Sequence, residues 1–222
     1  VTILSDTDSM AVDVAQSGVV IDGGTAGFKI TGASGQSSVV DLFNATMMNC
    51  AIEDSGYGYA TDGVVHIALG GTLTNCSVTL TSATSARAVQ IKTTSGAEVS
   101  NCVITSAQDG STANVEAISV EAGSATISNN TLKFTHASTL GVAIDCSGPS
   151  ATVEDNVVIG AKSGIRISGS SASLTGNVVE LRASDGFGMD ISASGHTVEN
   201  NTVYLVSCTA VSAGMFLSGG AG

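Results

Sequence analysis

The sequence holds no tryptophan, one proline, three tyrosines and five phenylalanines among 222 residues. A core of aromatic clusters is thereby excluded, and the interior must be aliphatic. Lysine and arginine number only seven against nineteen aspartates and glutamates, for a formal net charge of −12. That balance disfavours nucleic acid and anionic membrane surfaces as partners. No apolar run approaches the roughly 20 residues that span a bilayer, so membrane insertion is not expected, and no secretory leader is read. Five cysteines cannot all pair within one chain. Charged residues are only 12% of the chain, and the abundance of small uncharged side chains points to an extracellular or cell-surface location. Val1 is not methionine, which fits a processed chain or an excised segment.

What the sequence does have is a repeat. A two-residue corner recurs eight times: Gly23-Gly24, Asn49-Cys50, Asn75-Cys76, Asn101-Cys102, Asn129-Asn130, Asp155-Asn156, Gly176-Asn177 and Asn200-Asn201. Its second members lie 26, 26, 26, 28, 26, 21 and 24 residues apart. An aliphatic residue or Met stands three positions before each, as in Met47, Leu73 and Val99. Another follows two positions after, as in Ile52, Val78 and Ile104, with Ala26 the exception. A period of about 25 residues with short strands around a fixed corner is the mark of a solenoid. Asn, Asp and Gly tolerate the left-handed backbone that such a corner needs. The second corner residue is expected to point inward, where stacked Asn amides bond to one another and Cys50, Cys76 and Cys102 act as small buried substitutes.

Upstream of each corner lies a third strand, read as a triplet of two inward residues around one outward residue. The triplets run from Val12-Asp13-Val14 and Val40-Asp41-Leu42 through Val65-His66-Ile67 to Met215-Phe216-Leu217, and include Val142-Ala143-Ile144. Small residues usually precede them.

This three-strand turn with its Asn-bearing corner resembles the right-handed parallel β-helix superfamily, of the pectate-lyase-like kind. The resemblance implies an all-β solenoid over residues 1–222, one domain of about eight turns of ~25 residues with three strands each. At about 4.8 Å per turn the stack would be roughly 40 Å long. Enzymes of the superfamily commonly act on acidic polysaccharides through carboxylates on an exposed strand face. Here the expected outward column reads Asp13, Asp41, His66, Gln90, Ser119, Ala143, Arg166, Asp190 and Phe216. Asp13, Asp41 and His66 are the candidate catalytic group, set against the simpler reading that strand faces in water must be polar. The Gly164-Ile165-Arg166-Ile167 segment resembles part of a polygalacturonase motif, but the paired Asp-Asp and Gly-His-Gly motifs are absent.

Lys92, Glu121, Asp145, Arg166 and Asp190 alternate in sign between turns, as lateral salt bridges would. Thiols stacked about 4.8 Å apart are too distant for tetrahedral zinc, so Cys50, Cys76 and Cys102 read as structural. Cys146 and Cys208 complete the set. His66, His136 and His196 fall on different parts of the turn, and Asp6, Asp8 and Asp13 match no established calcium loop. No cofactor or metal is expected. Four glycosylation sequons begin at Asn44, Asn75, Asn129 and Asn200, and the last three put the acceptor at an outward corner, so covalent N-glycans are expected partners in a glycosylating host.

No capping segment is read at either end. Val1, Ile3 and the Met215-Phe216-Leu217 triplet are expected to expose apolar strand ladders that pair with a further copy. A non-closing contact of that kind builds a filament. A self-assembling structural protein is therefore the preferred reading. The alternatives are a polysaccharide lyase or glycoside hydrolase, and a glycan-binding adhesin.

Overall fold

The computed structural model describes residues 2–5, 10–32, 38–54, 63–81, 86–92, 96–107, 115–135, 141–182, 185–206, 208 and 212–218. Among the described residues three parallel sheets of nine, nine and eight strands run along the molecule, and each successive turn adds one strand to each sheet. No helix among the described residues is long and apolar enough to cross a membrane. The triplet sheet extends from Val12–Val14 to Ala213–Leu217, the corner-preceding sheet from Val20–Asp22 to Thr197–Glu199, and the corner-following sheet from Thr2–Ser5 to Thr202–Leu205.

Alternation along each strand sends every second side chain inward, and parallel register stacks like on like. Ile30, Ile52, Val78, Ile104, Leu132, Val158 and Val179 form one such ladder, each paired with the next and all buried. Fully burying one such aliphatic side chain contributes about 1.5–3 kcal/mol before conformational entropy is set against it. Because each turn covers its neighbours, the core is continuous along the stack.

The corner geometry is the expected one. Asn49, Asn75, Asn101, Asn129, Asp155, Gly176 and Asn200 all have φ between 52° and 69°. The first corner departs from the two-residue pattern. Gly23 aligns with Asn49 beside the Ile21–Met47 pair, yet Phe28, not Gly24, aligns with Cys50. Gly24–Gly27 is therefore a four-residue insertion with positive φ at both end glycines. It explains why Ala26 broke the apolar pattern: Ile30 is the true counterpart of Ile52.

A second correction concerns the sixth triplet. Ile118, Ser119 and Val120 pair with Ile144, Asp145 and Cys146, while Val142 pairs with Glu116. Ala143 is thus fully buried, and the outward residue of that turn is Asp145. Ala143 takes the small pre-triplet place that Ala117, Gly164 and Gly188 hold on adjoining turns. At Gly164 and Gly188 the crowding is severe, since a Cβ on either would lie 2.4 Å from the carbonyl oxygen of the next turn.

Candidate functional site

The outward column of the triplet sheet runs Asp13, Asp41, His66, Gln90, Ser119, Asp145, Arg166, Asp190 and Phe216, each in register with the next. The structure brings the three candidate catalytic residues onto adjacent turns. His66 Nδ1 lies 3.1 Å from Asp41 Oδ1. A carboxylate only accepts, so Nδ1 carries a proton toward it, and in the neutral ring the lone pair falls on Nε2. That Nε2 is buried without a hydrogen-bond partner, so the ring is tied to the carboxylate but does not present its base to solvent. Asp13 stands exposed at the edge. Further along, Gln90 and Ser119 are buried despite their outward place, and Gln90 Nε2 donates to Glu121 Oε1 at 2.7 Å.

The charged residues beyond them form one network. Arg166 makes a two-pronged contact with Asp145, with Nε to Oδ1 at 2.9 Å, and reaches Glu116 at 3.6 Å. Arg87 meets Glu116 at 2.7 Å and Glu121 at 3.1 Å, and Lys92 meets Glu121 at 3.8 Å. The Asp145 bond holds the Arg166 guanidinium above its ordinary pKa. Arg87 and Glu116 were not singled out from the sequence, because they precede the triplets and only register shows them as neighbours. Lys29 and Arg182 also have carboxylate partners, Glu53 and Glu180. Five of the seven basic residues are therefore engaged by carboxylates within the chain, which leaves little cation to clamp an anionic polymer.

The inward column behind the corners is an amide ladder. Asn130, Asn156 and Asn177 donate Nδ2 to the Oδ1 of Asn156, Asn177 and Asn201 at 3.0, 3.0 and 2.9 Å. Each also donates to a carbonyl of the preceding turn: Val99, Ile127 and Val153 respectively. Every Oδ1 further accepts a backbone N–H from the turn before it, including Cys102 N–H to Asn130 Oδ1 at 2.9 Å. These amides are satisfied although Asn130, Asn156 and Asn177 are buried.

Cys50, Cys76 and Cys102 continue that column as free, buried thiols, Cys146 is a free, buried thiol as well, and Cys208 is partly buried. Burial pushes the Cys102 thiol up to about 11 and raises Cys146 further. Cys50 Sγ donates to Met48 O at 3.0 Å and Cys76 Sγ to Thr74 O at 3.2 Å, and the influence of each thiol on the other lowers Cys50 and raises Cys76. A shallow cleft of about 400 Å³ reaches both, bordered by the Gly24–Gly27 insertion, Asn49, Asn75 and Asn101. No group of three or more His, Cys, Asp or Glu among the described residues is placed to hold a metal ion. His136, Asp6 and Asp8 lie outside the described residues.

The sequon residues Asn44, Asn75, Asn129 and Asn200 are all exposed, and Asn44 Nδ2 donates to Ser17 Oγ at 2.6 Å. At one end of the stack Met215, Phe216 and Leu217 are 43%, 44% and 66% exposed, although Met189 and Ile191, their in-register neighbours, are buried. Phe216 packs on Phe187 with ring centroids 5.1 Å apart. At the other end Ile3 pairs with Ile30, Val20 is exposed, and Val1 lies outside the described residues.

The right handed beta helix region family matches residues 7–203 of the chain. No curated protein and no solved structure matches it.

Proposed function

The chain belongs to the right-handed β-helix family, and from that premise we propose that it is an extracellular structural protein whose coils stack head to tail into a filament or surface appendage. The observation that carries this reading is the terminal rung. Met215 and Leu217 occupy the inward places that Met189 and Ile191 fill below them, yet they lie open. A further rung in register would bury them just as each turn buries the last. Among the described residues the strand Ala213–Leu217 also has one unpaired edge, a template for parallel pairing. The matching surface on a second copy is the first rung, Thr2–Ser5 and Val12–Val14, which belong to the same two sheets. The corner-preceding sheet has one strand fewer, so the joint must fill one place in that sheet. Corner glycans at Asn75, Asn129 and Asn200 would project from one edge of the stack.

Size-exclusion chromatography with light scattering, run across a concentration series and paired with negative-stain microscopy, tests the reading. Rising mass and extended particles one β-helix wide are expected. Monodisperse monomers throughout would exclude it.

A second reading, action on a polysaccharide, rests on the Asp13–Asp41–His66 alignment. It requires the His66 ring to be released from its enclosed position. Turnover of some member of a broad glycan panel, lost in Asp41→Asn, would favour it over assembly. Saturable binding without turnover would instead favour an adhesin.

A further inference from the structure

Cys50 and Cys76 hold adjacent rungs of the column, as the pairing of Ala51 with Ser77 places them, and both line the cleft that the Gly24–Gly27 insertion borders. Cys102, one turn further, is 1% exposed and does not reach that cleft. Each thiol donates within its own turn, Cys50 Sγ to Met48 O at 3.0 Å and Cys76 Sγ to Thr74 O at 3.2 Å.

The spacing of the rungs then selects a ligand. Stacked positions stand about 4.8 Å apart. Two metal–sulfur bonds of about 2.3 Å, laid end to end, span about 4.6 Å. A linear sulfur–metal–sulfur bridge therefore fits between neighbouring turns with the backbone in place, whereas a tetrahedral ion needs its sulfurs closer and more of them. A disulfide fits less well, since it draws its Cβ atoms to about 3.8 Å, and side chains leaving stacked rungs in parallel hold theirs near the rung spacing. Thiolate ligands select soft ions, copper(I) among them.

We propose that Cys50 and Cys76 form a two-coordinate site for a soft monovalent metal ion of the copper(I) kind, entered through the cleft. Binding forms two metal–sulfur bonds, breaks two S–H bonds and releases two protons to solvent, with no change of oxidation state. The two protons released are those that the thiols give to Met48 O and Thr74 O.

The probe is silver(I), added to the reduced chain under anaerobic conditions and followed by native mass spectrometry against a weak competing ligand. One ion is expected to be retained per chain, and retained equally in Cys102→Asn and Cys208→Ser. It should be lost in Cys50→Asn and Cys76→Asn, where the column accepts asparagine as it does on later turns. Circular dichroism checks that those variants are folded. Retention in both of them, or loss in Cys208→Ser, overturns the site. X-ray absorption on the loaded wild-type chain gives an answer that needs no variant. Two sulfurs in a linear array support the proposal, and three or four sulfurs, or nitrogen and oxygen ligands, refute it.

Discussion

Cys102 donates its backbone N–H to Asn130 Oδ1 at 2.9 Å, and at that bond a column of thiols becomes a column of amides. Cys102 Sγ already faces Leu73 O at 3.6 Å, the carbonyl that an asparagine there would use, as Asn130 uses Val99 O. Cys102→Asn is therefore expected to extend the ladder by one rung. Urea denaturation should show stability unchanged or raised by about 1 kcal/mol. A loss of about 2 kcal/mol or more would mean that the two halves of the column are not equivalent.

Within the ladder the opposite result is expected. Asn156→Leu removes the acceptor of the Asn130 amide and backbone N–H and the donor to Ile127 O and Asn177 Oδ1. Stranding buried groups of this kind costs about 1–3 kcal/mol each. A loss of roughly 2–4 kcal/mol is the expected total, read from the same denaturation curves. A near-neutral result would show that the amides are not bonded as described.

The outer corner residues answer to backbone conformation instead. Asn129 sits at φ 57°, exposed. Asn129→Gly should leave stability within about 0.5 kcal/mol, while Asn129→Val costs about 1–2 kcal/mol through its branched Cβ. In a glycosylating secretory host, Asn129→Gly should also abolish one endoglycosidase-sensitive mass increment, as should Asn200→Gly. No increment on the unaltered chain would remove glycosylation from the picture.

The proposed assembly would depend on the terminal rung. Leu217→Asp places a charge where a stacked copy would desolvate it, so the sedimenting fraction should collapse while the monomer's circular dichroism is unchanged. The same substitution at exposed Val103, on the side of the coil, should leave association intact. Equal effects at both sites would mean that association is lateral.

Asp22 provides a pH test. Asn49 Nδ2 at 2.7 Å, followed by the Gly24 N–H at 2.8 Å, holds its carboxyl below the ordinary carboxylate range. A lowered folded pKa contributes stability above the ordinary range, and that contribution is lost as pH falls through the folded value. The contacts pinning Gly24 should thus persist near pH 4 and loosen in stronger acid. Carbon-detected titration of Asp22 checks this, and Asn49→Ala should move the midpoint upward.

The corners could be read from the sequence because left-handed backbone admits few residue types, so Asn49, Asn75, Asn101, Asn129, Asp155 and Asn200 mark their own positions. Their inward neighbours followed by alternation alone. Register was harder where two alternating frames overlap. Val142-Ala143-Ile144 and Ile144-Asp145-Cys146 both satisfy the triplet pattern, and only pairing with Ser119 selects the second. Glycine misled at the first corner for the same reason that it is useful there: Gly23, Gly24 and Gly27 permit several turns, so nothing local revealed the insertion. The candidate Asp13–Asp41–His66 alignment was visible from the repeat, but the enclosure of His66 Nε2 and the burial of Gln90 come from contacts across the fold. The Arg87–Glu116 pair was out of reach for a similar reason, since side chains 29 residues apart meet only after the coil is wound.

All three amide-to-amide bonds of the inner column run the same way, each nitrogen giving to the oxygen of the turn that follows. The coil consequently has a front and a rear even in its hydrogen bonding. In the proposed filament, two copies meeting front to front would set nitrogen against nitrogen, so units added by this surface would all face the same direction.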